Sequence, residues 1–229
     1  MFLKRIYPIF SKESLKKYTM NNHTYAGYDL VVDVIPVGSR VLDLGCGTGE
    51  LLLRLQKEKK VKGFGVEISE DGVSACVEKG LYCYHGDIDE GLEDYKDNSF
   101  DCVILNQTIQ NTKHPDYVMN EIMRICKMAI VSFPNFAFLK TRFEFLMTGS
   151  MPKNELLPYE WYESPNIHLL TIKDFIELCE VKKYPIKKEA HFAITSSGKT
   201  VVLNILPNIF AQYGFFVLDG DAYTKIRKE

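Results

Sequence analysis

Residues 41–50 read Val41-Leu42-Asp43-Leu44-Gly45-Cys46-Gly47-Thr48-Gly49-Glu50. An apolar run enters a turn with glycine at every second position, and a helical pattern starts at Glu50. That order is a strand, a tight turn and a helix start, which commits the chain to an α/β layer structure. Glycines let the backbone turn sharply and let a ligand lie against bare main chain. The helix beginning there offers N–H groups that have no partner within the helix. A dinucleotide fingerprint, G-x-G-x-x-G, does not fit. Counted from Gly45 its last glycine falls on Glu50, and counted from Gly47 it falls on Leu52.

What is present is D-x-G-x-G-x-G, with Asp43 still on the strand. A carboxylate beside the turn repels a pyrophosphate but suits a ligand carrying an ammonium and a sulfonium. The pattern resembles the first motif of the Rossmann-like methyltransferases that bind S-adenosylmethionine. A second acidic residue agrees with it. Residues 62–68 form a short apolar strand with Glu67 near its end, 18 residues past Gly49. An acid at about that distance, at the end of the next strand, hydrogen-bonds ribose hydroxyls. The alternative role for Glu67 is to cap the helix that begins near Asp71.

Strands and helices alternate along the chain. Strands are expected at 40–45, 62–68, 82–88, 100–106, 128–133, 186–193 and 212–218, and helices at 51–56, 71–79, from Pro115 onward and at 171–180. Pro115 suits a first helical turn. Thr171 and Asp174 have the spacing of a capping box. Near-continuous apolar strands separated by helices predict a Rossmann-like sandwich, a mostly parallel seven-stranded sheet with helices on both faces. Ligands in such sheets bind beyond the carboxyl ends of the strands. Those ends supply the candidate cofactor residues: Asp43, Gly45, Cys46, Gly47 and Gly49, then Glu67 and Ile68, then Asp87 and Ile88, then Asn106. Asp87 could accept from an adenine amino group or be an ordinary loop carboxylate.

At 229 residues and 46% hydrophobic, the chain can bury one large core. The expected organisation is an N-terminal extension over 1–25 and a single domain over 26–229. A net charge of −2 gives no electrostatic argument for nucleic acid. No apolar run is long enough to span a membrane. Lys4, Arg5 and Pro8 break up any signal-peptide core. The six cysteines are scattered singly with no C-x-x-C pair, which reads as reduced thiols without a metal, in a cytoplasmic protein.

Methyl transfer from a sulfonium needs alignment and often one base. Candidate bases are His114, His168, Tyr159 and Tyr162, with His168 and Tyr159 carried forward as catalytic candidates. No [DN]-P-P-[YF] signature follows the fourth strand, where Asn106-Gln107-Thr108-Ile109 stands instead. Residues 157–168 gather Tyr159, Trp161 and Tyr162 between Pro158 and Pro165. This block reads equally as a lid over the cofactor and as a docking surface.

Several stretches together resemble the MetW family of methionine-biosynthesis proteins. They are Gly38 to Gly47, Gly63 to Ile68, Gly86-Asp87-Ile88-Asp89-Glu90-Gly91-Leu92, Asn106 to Gln110, Val131 to Phe136, and the block from Leu157 to Phe175. The resemblance covers about Asp29 to Leu218, and Thr48 departs from it where the family often has an acid. It implies a methyltransferase fold that binds S-adenosylmethionine or S-adenosylhomocysteine and has homoserine O-acyltransferase as its protein partner. Three roles compete: partner subunit of that enzyme, regulator reporting S-adenosylmethionine to it, and an active small-molecule methyltransferase.

Overall fold

Side chains alternate along each strand, so one apolar sheet feeds two cores. The computed structural model describes residues 27–195 and 200–228, and the extension expected over 1–25 lies outside them. Its strands are β1 (Arg40–Leu44), β2 (Lys62–Glu67), β3 (Tyr82–His85), β4 (Phe100–Asn106), β5 (Cys126–Pro134), β6 (Ile186–Ile194), β7 (Thr200–Val202) and β8 (Tyr213–Asp219). They form one sheet in the order β3-β2-β1-β4-β5-β8-β6-β7. Helices α1 (Tyr28–Val34), α2 (Glu50–Lys59) and α3 (Glu70–Glu78) precede the sheet's midpoint in sequence. They are followed by α4 (Pro115–Ile125), α5 (Leu139–Thr148), α6 (Ile172–Val181), α7 (Pro207–Phe210) and α8 (Gly220–Lys228).

On one face, Val103 and Leu105 of β4 pack with Val118, Met119 and Ile122 of α4 and with Ile172 and Phe175 of α6. On the other, Cys102 and Ile104 pack with Leu30 and Val31 of α1 and Leu51, Leu52 and Leu55 of α2. Phe133, Phe175 and Phe216 form an aromatic centre to the first core, with ring centroids 4.7 to 5.9 Å apart. α6 starts on the expected capping box: Thr171 Oγ1 accepts from the Asp174 N–H, and Asp174 accepts from the Thr171 N–H.

The expectation of a mostly parallel seven-stranded sheet is corrected on two counts. The sheet has eight strands, and it is mixed. β1 to β5 are parallel, but β8 runs antiparallel to both β5 and β6, and β7 is antiparallel to β6. A parallel return needs a crossover, normally a helix. Between β6 and β8 the chain has only the three-residue β7 and the four-residue α7, so it reverses instead. β3 also stops at His85, which leaves Asp87 and Ile88 in the following loop rather than on the strand.

Candidate functional site

The parallel half of the sheet fixes where a crevice must open. The chain builds β1, β2 and β3 outward in one direction, then returns to place β4 on the other side of β1. Loops leaving the carboxyl ends of β1 and β4 diverge at that switch point, and the gap between them is open to a ligand. Two adjoining cavities occupy it. The larger, about 500 Å³, is lined by Asp43, the 45–48 turn, Asn106, Gln107, Gln110, Tyr159 and Tyr213 among others. The smaller, about 240 Å³, is lined by Glu67, Ile68, Asp87, Ile88 and Thr108. Gly45, Asn106, Gln107 and Asn111 border both, so the two are lobes of one crevice.

The turn between β1 and α2 is shaped for close approach. Gly45 has φ +73°, and a Cβ there would stand 2.6 Å from the Thr108 side chain. A larger residue would therefore need both a strained backbone and displacement of the β4 loop. Glu67 braces the turn from β2: its carboxylate accepts from the Gly47 N–H at 2.8 Å and from the Ser69 N–H at 2.9 Å. The cap of α3 is Ser69, whose hydroxyl accepts from Gly72 N–H. Capping is therefore not Glu67's own role, although it holds the capping residue.

Asp43 alternates along β1 with Leu42 and Leu44 and shares its face with Val41. It is 2% exposed. Burial, and secondarily the charge of Glu67, push its carboxyl up to about 7. A buried carboxylate of this kind favours a cationic partner in the cavity that it lines. Asp87 is the opposite case. The Asp89 N–H, followed by the Lys113 ammonium at 3.1 Å, holds it below the usual carboxylate range. Asn106 accepts from the Ser132 hydroxyl at 2.6 Å, which ties the end of β4 to β5.

Of the ten candidate cofactor residues, nine line the crevice. Asp43, Cys46 and Gly47 face the larger lobe, Glu67, Ile68, Asp87 and Ile88 face the smaller, and Gly45 and Asn106 border both. Gly49 is the exception. It is the N-cap of α2, packed where a Cβ would stand 2.4 Å from Leu81 and 2.8 Å from the Cys76 sulfur. Among the catalytic candidates, Tyr159 lines the larger lobe while His168 lines neither. The His168 Nε2 is buried without a hydrogen-bond partner. His114 is the N-cap residue of α4, its N–H donating to Asp89.

Gln107, Gln110, Asn166 and Tyr213 also line the crevice, and sequence reasoning named none of them as site residues. Gln107 adopts φ +54°, an uncommon conformation for a side chain of its size, and its N–H donates to the Ser132 carbonyl at 2.8 Å. Gln110 is a clip. Its side-chain amide donates to the Gln107 carbonyl, and its own carbonyl accepts from both the Ile167 and His168 N–H groups at 2.8 and 2.9 Å. The aromatic block is thereby pinned to the β4 loop. Leu156, just before the block, and its own Pro158, Tyr159 and Pro165 line the cavity, Tyr159 while still 52% exposed. Trp161 and Tyr162 face outward, 74% and 66% exposed, with their rings edge to face. The block is therefore both a wall and an exposed surface.

Strand order, switch-point crevice and glycine turn together define a class I S-adenosylmethionine-dependent methyltransferase fold. Solved structures agree. A methyltransferase from Thermotoga maritima, described as a possible histamine N-methyltransferase, superimposes with a TM-score of 0.63 at 18% identity, covering 86% of this chain and 89% of that one. A methyltransferase from Archaeoglobus fulgidus gives 0.60 at 17%, covering 86% and 92%. Within that class the chain belongs to the MetW family: residues 25–218 match the model of methionine biosynthesis protein MetW. The bifunctional methionine biosynthesis protein MetXA/MetW of Rhodopirellula baltica is 32% identical over 190 residues, 79% of this chain. The matched region spans 30% of that longer protein. No helix among the described residues is long and apolar enough to cross a membrane.

Proposed function

We propose that this protein binds S-adenosylmethionine or S-adenosylhomocysteine in the switch-point crevice and acts as a partner and regulator of homoserine O-acyltransferase. The observation that carries the cofactor reading is Asp43, a buried carboxylate aimed into a cavity floored by a glycine turn. Its raised pKa marks a charge short of a counter-ion, and the ligand's ammonium and sulfonium would supply one. The smaller lobe fits the adenosine end, with Glu67 toward the ribose and Asp87 toward the adenine.

The partner reading rests on the family and on the fused relative, whose name joins MetXA and MetW in one chain. The outward-facing Trp161 and Tyr162 suit a docking surface. When bound, the cofactor would supply an activated methyl group. Tyr159, on the wall of the larger lobe, favours a second reading in which that methyl passes to a small acceptor. Calorimetry with each cofactor form tests binding and is expected to give one site per chain. Co-purification with homoserine O-acyltransferase, then its assay with and without S-adenosylmethionine, tests the partnership. An acyltransferase that neither binds the protein nor changes activity in its presence refutes the partner reading.

A further inference from the structure

Under the glycine turn, three thiols from three separate elements meet. Cys46 comes from the turn, Cys76 from α3 and Cys83 from β3. The Cys46 sulfur lies 3.8 Å from that of Cys76 and 3.6 Å from that of Cys83, and all three lie within 4.8 Å of one another. Cys46 and Cys76 are buried, while Cys83 is half-buried and leaves the group approachable from its side. The backbone is bare where the sulfurs sit. A Cβ at Gly65 would stand 2.5 Å from the Cys46 sulfur, and one at Gly49 would stand 2.8 Å from the Cys76 sulfur. Among the described residues, no other set of three or more His, Cys, Asp or Glu side chains converges in this way.

We propose that Cys46, Cys76 and Cys83 form a three-thiolate site for a soft metal ion, copper(I) being the best match. Thiolate donors select soft ions over hard ones. Structural zinc takes four ligands, and this group offers three. The spacing also fits. An ion about 2.3 Å from each of three sulfurs in a plane, the usual metal–thiolate length, sets the sulfurs roughly 4 Å apart. The Cys46–Cys76 and Cys46–Cys83 separations are within a few tenths of an ångström of that. Binding transfers no electrons: the ion enters as copper(I), three sulfur–metal bonds form, and the three thiol protons leave to solvent. Burial pushes the Cys46 thiol far above its ordinary value and the Cys83 thiol up to about 11. Loading therefore competes with protons and strengthens as pH rises. Occupancy would be felt in the turn itself, because the Cys76 thiol donates to the Gly47 carbonyl at 3.3 Å and gives up that bond on ionising.

The test uses the full chain, reduced and metal-free, titrated anaerobically with copper(I) against the coloured competitor bicinchoninate. One ion per chain is expected, with a thiolate-to-metal ultraviolet band and protection of the half-buried Cys83 from a thiol reagent. Cys83→Ser, at the half-buried position, is expected to bind at least tenfold more weakly while keeping the parent's circular dichroism. Cys179→Ser, in the opposite core, is expected to bind as the parent does. Cys76→Ser repeats the test from α3, and if it fails to fold then Cys83→Ser decides alone. No stoichiometric uptake by the parent overturns the proposal, and the three thiols are then packing groups. Unchanged affinity in folded Cys83→Ser overturns it equally. A zinc titration with the same variants shows whether a fourth, solvent ligand suffices. Stronger binding of zinc than of copper(I) would overturn the choice of ion.

Discussion

Asp43→Asn isolates the electrostatics of the crevice. The substitution keeps size and shape on a strand held on both sides, by Gly65 of β2 and Ile104 of β4, so β1 is expected to stay in place. What changes is the charge. The carboxyl titrates near 3.8 when unperturbed and at about 7 in the folded protein. Between those values the folded state holds a proton that the unfolded state has released, so parent stability falls as pH rises through the window. At 1.36 kcal/mol per unit the full effect is roughly 4 kcal/mol, of which roughly 2 lies between pH 5 and 7. Asparagine is neutral throughout and feels none of it. Urea unfolding of both proteins at pH 5, 6, 7 and 8 is the assay. The variant's advantage over the parent is expected to grow by roughly 2 kcal/mol from pH 5 to 7 and to flatten above it. Saturating S-adenosylmethionine is expected to shrink the gap at pH 8 by giving the carboxylate a cationic partner. A gap that does not vary with pH would refute the reasoning, because it would mean that Asp43 is ionised and well solvated in the folded state.

Glu67→Ala is expected to weaken S-adenosylmethionine binding by about 10- to 150-fold in calorimetry, the loss of a charged acceptor worth roughly 1.5–3 kcal/mol. Trp161→Ala is expected to cost about 2 kcal/mol or more in binding the acyltransferase while leaving cofactor affinity unchanged, since the ring points away from both lobes. Titrating one mutant with each ligand checks it. Phe216→Ala, at the centre of the stacked ring cluster, is expected to lower unfolding free energy by about 3–5 kcal/mol in denaturant melts. Thr171→Ala removes the cap of α6 and is expected to cost about 1 kcal/mol in the same assay.

The parallel half of the sheet was legible because each of its parts has a local cause. Buried strands read as apolar runs, the turn is written in glycines, and the start of α6 is spelled by Thr171 and Asp174. Strand direction is not local. The β8 run Tyr213–Asp219 is buried along almost its whole length and would read the same in either direction. Only the short connection before it decides, and its last part resembles an ordinary loop. α5 escaped notice because its apolar residues Phe143, Phe145, Leu146 and Met147 are exposed, so no single buried face imposes a helical period. The thiol group was invisible for a related reason. Cys46, Cys76 and Cys83 lie on a turn, a helix and a strand, 30 and 7 residues apart. Metal-site spacing rules apply to ligands that share a local element.

Two stretches stood out in the sequence as separate features, the 106–110 turn and the aromatic block of 157–168. The fold joins them at one carbonyl. Gln110 faces the larger lobe, and its backbone oxygen holds both Ile167 and His168. The segment reaching back from there carries Tyr159 on the cavity wall and Trp161 on the outer surface two residues later. Residues two apart in an extended chain point to the same side, but the chain turns over 160–163, just after Tyr159, with the Glu163 N–H bonded to the Glu160 carbonyl. The cavity-lining Tyr159 and the outward Trp161 and Tyr162 therefore belong to one short, proline-bounded unit that Gln110 ties to the β4 loop. A ligand that orders the wall need not reach the far surface by any long path. On the regulator reading, that clip is the element through which an occupied crevice would alter what Trp161 and Tyr162 present to a partner.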